Sequence, residues 1–276
     1  MSTLTLQEAA NELGVHYMTA YRYVRTGRLE AVQHSGVWQV KRSDLDRFRL
    51  APPARVRAPQ RAASRNRLRT VLVKGDEAGA WKVIEDSLTG GASAQQIQQD
   101  LLVPAMNEIG QLWRSGDLSV ADEHVASATM SRLVGRLGPR FVKRGRTRGT
   151  VVIGAVSGDE HALPCHFMAD LIRGEGYAVR DLGANSPAES FVSVAGSADR
   201  LVSVAITVTA MGLDDQVLVT TTALKASMCG TDLQEIPVFV GGGAIVDASH
   251  ARGLGSSGWS ATAAGAVDLI LRREAS

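Results

Sequence analysis

The sequence of 276 residues has few cysteines and no long apolar run. Its only two cysteines, Cys165 and Cys229, exclude a disulfide framework and a cysteine-rich zinc site. No apolar run approaches the ~20 residues that a membrane-spanning helix needs. No basic stretch precedes an apolar segment near Met1, so we expect no signal peptide. These absences predict a cytoplasmic protein without a membrane partner.

Charge is distributed unevenly, although the formal net charge is only +2. Residues 1–70 contain 13 Lys or Arg and 5 Asp or Glu, which gives this region a balance of +8. The remainder contains 17 basic and 23 acidic residues, which gives a balance of −6. A basic N-terminal region on an acidic body indicates that this region alone binds a polyanion.

The first 50 residues contain a pattern of two helices joined by a short turn. Thr5 and Glu8 form a capping box that begins the first helix, and Gly14 ends it. The second helix is predicted over residues 16–26. Such a pair is typical of DNA-binding proteins, in which the second helix enters the major groove. The candidate DNA contacts are polar, basic or small residues on and after this helix: Tyr17, Thr19, Ala20, Tyr21, Arg22, Arg25, Arg28 and Lys41.

A β-hairpin pattern over residues 29–33 and 37–41 follows, and then a helix that Ser43 is expected to cap. Residues 1–50 are therefore predicted to form a winged helix-turn-helix domain. Residues 51–66 are predicted to form a flexible basic linker. Its arginines either touch DNA phosphates or only keep a tether soluble, and they are Arg55, Arg57, Arg61 and Arg65.

Helical periodicity extends through residues 67–146 and predicts a four-helix bundle. Pro104 is expected to produce a kink or local break in the third helix. Trp113 ends this helix, and Glu123-His124 lies about one turn into the fourth, so the three side chains are predicted to meet at one end of the bundle. A buried Trp, a capping Glu and a surface His are the simpler alternative.

Residues 147–276 alternate between strand and helix patterns. Strands over residues 151–156, 177–182, 201–208 and 237–240 predict a doubly wound parallel sheet of Rossmann-like type. Ligands of such sheets bind beyond the carboxyl ends of the strands. Those ends carry Asp159-Glu160-His161, then Thr207-Val208-Thr209, and then Gly241-Gly242-Gly243. Ordinary turn chemistry is the alternative for the threonines and glycines.

Two kinds of site are not expected in this sequence. The first strand is not followed by G-x-G-x-x-G, so a dinucleotide cradle is absent there. No nucleophile–base set can be identified from residue spacing, so we do not expect an enzyme.

The N-terminal region resembles the excisionase/MerR-like winged helix-turn-helix over residues 3–50. The resemblance rests on three segments: LTLQEAANELGV, TAYRYVRTGRL and WQVKRSDLDRF. Residues 68–276 resemble the cobalamin-binding modules of corrinoid proteins. Their Asp-x-His-x-x-Gly motif corresponds to Asp159–Pro164 here. Trp113 followed by Glu123-His124 is similar to the pattern of the light-responsive, adenosylcobalamin-dependent repressors of the CarH/LitR type.

The resemblance implies a role for each motif. His161 would be the lower axial ligand of cobalt, and Asp159 would fix its ring. The residues implied around the adenosyl group on the upper face are Trp113, Glu123 and His124. The residues implied along the slot for the nucleotide tail are Thr207, Thr209, Gly241 and Gly242. Two positions depart from the family pattern: Pro164 replaces Gly, and Arg114 replaces a histidine of the light-responsive repressors.

We therefore expect a cobalamin-dependent, light-sensing transcriptional regulator. The expected partners are double-stranded DNA, adenosylcobalamin and further copies of the chain in a dimer or tetramer. One alternative is a DNA-binding regulator that senses another tetrapyrrole or no cofactor. A second alternative is a corrinoid protein that carries methyl groups between methyltransferases.

Overall fold

The computed structural model describes residues 3–13, 15, 17–25, 29–34, 36–50, 58–143 and 145–274. These residues form a small N-terminal region with its own core, a helical region and a C-terminal α/β region. In the described residues, no helix combines the length and the hydropathy that crossing a membrane requires.

The N-terminal region contains three short strands and three helices. In chain order they are β1 (Thr3–Thr5), α1 (Leu6–Glu12), α2 (Tyr17–Arg25), β2 (Val32–His34), β3 (Val37–Lys41) and α3 (Arg42–Leu50). The strands form an antiparallel sheet in the order β1-β3-β2. The predicted capping box is confirmed, since the N–H of Glu8 donates to Thr5 Oγ1 and the N–H of Thr5 donates to Glu8 Oε2. The β2–β3 hairpin confirms the predicted hairpin, whereas β1 was not predicted.

Two predictions for this region are wrong. Ser43 does not cap the last helix, because α3 begins at Arg42 and follows β3 without a loop. Ala20 cannot contact DNA, because it is buried in the small core with Leu6 and Leu45. Gly14, which was predicted to end the first helix, lies outside the described residues.

The helical region consists of four helical runs joined by short turns. They are α4 (Ala58–Val73), α5 (Glu77–Thr89), a third run over residues 94–115, and α8 (Val120–Leu137). The third run comprises α6 (Ala94–Ile97), a π-helical segment (Gln98–Leu102) and α7 (Val103–Ser115). The departure from α-helix that Pro104 predicted is confirmed, because the π segment ends immediately before α7, which has Pro104 in its first turn.

The predicted linker over residues 51–66 is too long. Residues 51–57 lie outside the described part of the chain, but α4 already begins at Ala58. Arg61 pairs with Asp100 at 2.8 Å, and Arg65 pairs with Glu108 at 2.7 Å, so these arginines join α4 to the third run. The segment therefore packs as a helix against the third run, although its composition is typical of a linker.

The α/β region contains a five-stranded parallel sheet with the order β5-β4-β6-β7-β8. The strands are β4 (Thr150–Ala155), β5 (Ala178–Asp181), β6 (Leu201–Thr207), β7 (Val238–Gly241) and β8 (Gly258–Ser260). The helices between and after them are α9 (Leu163–Gly174), α10 (Ala188–Gly196), α11 (Asp214–Met228), α12 (Ala248–Gly253) and α13 (Ala263–Glu274). The predicted parallel sheet is confirmed with four strands near their expected positions, whereas β8 and α12 were not predicted.

The helical and α/β regions share one hydrophobic core. Leu133 and Leu137 of α8 belong to the same buried cluster as Ile172 of α9 and Ile153 of β4. The buried side chain of Gln98 also donates to the main-chain oxygen of Phe167, at 2.8 Å. Because apolar burial is continuous, the helices lie in a fixed position relative to the sheet.

Candidate functional site

The strand order places the ends of β4 and β6 side by side. From β4 the chain crosses to the outer strand β5 on one side, and from there to β6 on the other side of β4. In a doubly wound sheet this reversal opens a crevice at the carboxyl ends of the two central strands. The loops after Ala155 and Thr207 therefore border the most favourable position for a ligand.

Asp159 and His161 meet in the loop after β4, as the sequence indicates. Asp159 is completely buried, whereas the side chain of His161 is 50% exposed. Nδ1 of His161 lies 2.7 Å from Oδ1 of Asp159. An ionised carboxylate only accepts hydrogen bonds, so Nδ1 carries the proton, and in the neutral ring Nε2 keeps its lone pair. No hydrogen bond to Nε2 is found among the described residues, so this atom is available to a metal ion.

Asp159 also ties this loop to the end of β6. Its Oδ2 accepts the main-chain N–H of Thr209 at 2.6 Å, and its Oδ1 accepts the N–H of His161 at 3.2 Å. Thr209 thus contributes through its backbone rather than through its hydroxyl. Each oxygen of the buried carboxylate has a donor, which fixes the position from which it orients His161.

These contacts shift the pKa of both side chains. Burial is the largest single influence on Asp159 and opposes ionisation, but hydrogen bonds from His161 and Thr209 together outweigh it, so the pKa of Asp159 lies below its usual value. The pKa of His161 lies above its usual value, chiefly because its ring donates to Asp159; burial acts against this shift, and the charges of Asp159, Glu123 and Glu160 reinforce it.

Asn185 stabilises the loop that carries His161 and was not recognised from the sequence. Its Oδ1 accepts the N–H of Gly158 at 2.7 Å, and its Nδ2 donates to Glu160 Oε1 at 2.9 Å. Its own N–H donates to the main-chain oxygen of Asp159. Asn185 has a φ of 51°, a conformation that asparagine tolerates better than most residues. The Asn-Ser-Pro turn sequence was a signal that could have identified it.

Thr207 lies at the end of β6, but its hydroxyl faces the protein interior. Its Oγ1 lies 3.1 Å from Sγ of Cys165 on α9, and both residues are buried. Burial raises the pKa of the Cys165 thiol to about 12, so the thiol stays protonated. The structure therefore places the Thr207 side chain between β6 and α9, and its role in a nucleotide slot stays a prediction.

Gly241 and Gly242 are explained by the packing of their neighbours. A Cβ on Gly241 would lie 2.3 Å from the main-chain oxygen of Ser260 on β8. A Cβ on Gly242, which has a φ of +120°, would lie 2.4 Å from the main-chain oxygen of Val208. These contacts support the simpler interpretation of the glycines as turn residues, because the neighbouring backbone alone requires them.

The predicted cluster of Trp113, Glu123 and His124 is formed only in part, since Glu123 and His124 are in contact but no hydrogen bond of Trp113 with either is found among the described residues. Glu123 accepts a hydrogen bond from Ser127 at 2.5 Å and lies 3.0 Å from Nδ1 of His124. Its charge acts on His161, which places it on the side of α8 that faces the strand ends. The side chain of His124 is 74% exposed, and Trp113 in the last turn of α7 is 43% exposed. Trp113 is thus not the buried Trp of the simpler alternative.

A metal ion held by several protein side chains is not expected in the described part of the chain. No group of three or more His, Cys, Asp or Glu side chains there could hold a metal ion. A cobalt ion in a corrin ring needs only one protein ligand, since the ring nitrogens occupy four positions. The exposed Nε2 of His161, with its ring fixed by a buried carboxylate, fits that requirement.

The predicted DNA contacts have mixed environments. The rings of Tyr17 and Tyr21 stack, with their centres 6.4 Å apart. Both residues also pack against the core of the N-terminal region, so only part of each ring is accessible. Arg25 and Lys41 are exposed, and Thr19 is half-buried. Met18 of α2 is also exposed and was not predicted as a contact. The side chain of Arg22 and the whole of Arg28 lie outside the described residues.

Two family models match this chain. Residues 3–51 match a helix-turn-helix domain, and residues 64–137 match a B12 binding domain. The second match covers the helices that carry Trp113 and Glu123. It supports a corrinoid cofactor and agrees with the chemistry of the residues at the strand ends.

Several curated relatives of this chain are corrinoid proteins. The chain is 27% identical over 212 residues to a corrinoid protein of Desulfitobacterium hafniense, covering 73% of this chain and 93% of that protein. It is 29% identical over 123 residues to trimethylamine corrinoid protein 1 of Methanosarcina acetivorans, covering 44% of this chain and 57% of that protein. The chain thus aligns with little more than half of the second relative.

One solved structure has a similar fold. The monomethylamine corrinoid protein of Methanosarcina barkeri superposes with a TM-score of 0.62 at 19% identity, covering 76% of this chain and 98% of that protein. At this identity the likeness concerns the fold alone: a helical region on a parallel α/β sheet.

Proposed function

We propose that this protein is a transcriptional regulator controlled by cobalamin. In this proposal the corrin ring lies between the helical region and the carboxyl ends of β4 and β6, and the N-terminal winged helix-turn-helix binds double-stranded DNA. The observation that carries the proposal is the His161–Asp159 pair, with Nε2 accessible, in a chain that also has a helix-turn-helix region.

His161 is the proposed lower ligand of cobalt. The buried carboxylate of Asp159 holds the proton on Nδ1 of His161 and fixes the orientation of the ring. Nε2 of His161 therefore already faces the position that cobalt would occupy. The hydrogen bond from Thr209 prevents the carboxylate from turning away. Asn185 holds the surrounding loop through three further hydrogen bonds.

Trp113, Glu123 and His124 are the proposed residues of the opposite face, at the corner of the four-helix bundle. Trp113 offers a large flat ring that the described protein leaves exposed, which is unusual for tryptophan. Adenosylcobalamin would supply a cobalt–carbon bond that light can break. We infer that Trp113 packs against the upper group and that loss of this contact changes the packing of α7 and α8.

The helices offer a route from this contact to the DNA-binding region. Glu108 lies on α7, in the same helix as Trp113, and pairs with Arg65 and Arg69 of α4. α4 is the first described element after the N-terminal region. A displacement of α7 therefore acts on the helix that leads to the DNA-binding region.

The test combines cofactor retention with DNA binding. The protein is incubated with adenosylcobalamin in darkness, desalted, and its visible spectrum recorded before and after green light. We expect a retained spectrum of histidine-ligated cobalamin that changes irreversibly on illumination, together with a change in DNA affinity. His161→Ala should lose the ligated spectrum, whereas the control His34→Ala, altered in the exposed strand β2, should retain it.

Each other outcome has a definite meaning. An unchanged spectrum in His161→Ala would show that the ligand assignment is wrong. Retention without a light response would indicate a regulator that senses cobalamin itself. If no colour is retained, a different tetrapyrrole or no cofactor becomes the better interpretation, and Pro164→Gly is the variant to test first.

A methyl-carrier role is the second candidate, because several relatives are corrinoid proteins and one of them is named for trimethylamine. In this role the chain would present the cobalt to partner methyltransferases. The helix-turn-helix match over residues 3–51 favours the regulator, since a carrier does not require DNA. Transfer of a methyl group to the bound cofactor by a partner enzyme, without DNA binding, would favour the carrier.

A further inference from the structure

A basic cavity lies at the opposite end of the sheet from His161. Its volume is about 260 Å³, and it is formed by the segment between the helical and α/β regions, the end of α9 and the start of β5. Lys143, Arg146 and Arg173 line it, together with Tyr177. Because β5 begins at Ala178, the cavity is at the amino ends of the strands, whereas His161 follows the carboxyl end of β4.

Positive charge dominates the surroundings of this cavity. Residues 138–149 contain five Lys or Arg and no Asp or Glu, in a body whose balance is otherwise acidic. Glu175 lies 3.7 Å from Lys143, and the buried Asp170 pairs with Arg173 at 3.2 Å. Within the described part of the chain, Arg146 is exposed and forms no ion pair.

The backbone that follows Arg146 is held by hydrogen bonds at Thr147 and Arg148. The N–H of Arg148 donates to the main-chain oxygen of Gly176 at 3.0 Å, and its guanidinium lies 4.8 Å from the centre of the Tyr177 ring. The guanidinium of Arg200 donates to the main-chain oxygen of Thr147. A surface whose backbone is already ordered loses little entropy when it binds a partner.

We propose that this surface, defined by Lys143, Arg146 and Arg173, contacts the phosphate backbone of DNA. This inference rests on the proposed function, since it concerns the same DNA that the N-terminal region binds. Lys143 and Arg146 are exposed, whereas Arg173 is half-buried. Side chains of this length and charge pair with phosphate oxygens, and such contacts position a protein on DNA.

The test measures the salt dependence of binding to a labelled duplex with the full chain. In Lys143→Gln/Arg146→Gln, the slope of log affinity against log salt should become shallower by about 1 to 2, because each lost phosphate contact removes about one released counterion. Lys74→Gln/Arg252→Gln removes the same charge from exposed positions elsewhere and should keep the wild-type slope. Thermal midpoints of both variants check that the fold is intact.

A third variant separates this inference from the proposed function. Arg25→Gln alters the exposed end of α2 and should weaken binding through the N-terminal region. If Arg25→Gln loses affinity but the Lys143/Arg146 variant keeps the wild-type slope, the cavity does not contact DNA and the inference is overturned. If only the Lys143/Arg146 variant changes, the cavity binds DNA and the proposed role of the N-terminal region is wrong.

Discussion

The carboxylate of Asp159 accepts the main-chain N–H of Thr209 at 2.6 Å, although the two residues are 50 positions apart. The same carboxylate accepts the Nδ1 proton of His161. Asp159 therefore joins the loops that follow β4 and β6, and it also orients His161, the candidate ligand of cobalt. Changes at this residue should affect stability and ligand binding together.

Asp159→Asn should lower the free energy of unfolding by about 1–3 kcal/mol, because an amide cannot accept hydrogen bonds at both of its terminal atoms in this buried position. Cobalamin affinity should fall by roughly 10- to 100-fold, as is typical when the partner of a metal-binding histidine is removed. Urea unfolding and a spectrophotometric titration measure the two effects. Asp232→Asn, at an exposed position, is the matched control. Equal affinity in the wild type and Asp159→Asn would contradict the orienting role.

Gly242→Ala should destabilise the protein without any cofactor by at least ~2 kcal/mol, because it combines a collision with Val208 and a strained φ. Gly243→Ala is the control one residue further on, where an added Cβ meets nothing within 4 Å. Urea unfolding of the two cofactor-free variants gives the comparison. Similar stability of both would show that the glycine is required for a ligand rather than for packing.

The two cysteines should differ in reactivity. Cys165 is buried and burial raises its pKa to about 12, so it should not react with a chromogenic disulfide reagent at neutral pH, whereas the exposed Cys229 should. We expect one reactive thiol in the folded chain and two in denaturant. Cys229→Ser should have none until it unfolds. Rapid reaction of Cys165 in the folded Cys229→Ser variant would mean that α9 and β6 separate readily.

His166 should make stability depend on pH. Its Nδ1 lies 2.9 Å from Asp181 Oδ2, and this hydrogen bond is the main reason that its pKa lies above the usual value; burial acts against it. A pKa that is raised in the folded state stabilises the protein fully below the unfolded pKa of about 6.5, and this stabilisation is lost as pH rises through the folded pKa.

The stability difference between the wild type and His166→Gln should therefore be larger at about pH 5.5 than at about pH 9. Among the charges around His166, Asp170 also raises the pKa of the histidine and Arg173 lowers it. Denaturant unfolding at the two pH values provides the measurement. A difference that grows with pH would contradict the assigned hydrogen bond.

Much of the fold could be predicted because hydrophobic periodicity reports on burial. The apolar strand β6 and the helix α8 are long enough for this signal to be clear. β8 has only three residues and is held by pairing with β7, which is a distant contact that local patterns do not encode. α4 was partly missed for a related reason: its ion pairs with the third run join residues that are 39 or more positions apart.

The candidate site was predictable to the extent that it lies within one loop. Asp159 and His161 are two residues apart, and the structure confirms their hydrogen bond. Asn185 acts on that loop from 27 residues away, and only the pairing of β4 with β5 brings it close. The functional roles of Trp113 and His124 stay predictions, which the spectra of the cobalamin-loaded protein will decide.

The continuous core between the helices and the sheet has a consequence for how the chain comes apart. Cleavage between Val142 and Gly149 would cut the connection between the two regions, while Leu137 and Ile172 would stay packed in one cluster. The two fragments should remain associated under native conditions and melt in a single transition. A change in packing beside Trp113 would then lower the stability of the helical and α/β regions together, because no hinge separates their cores in the described part of the chain.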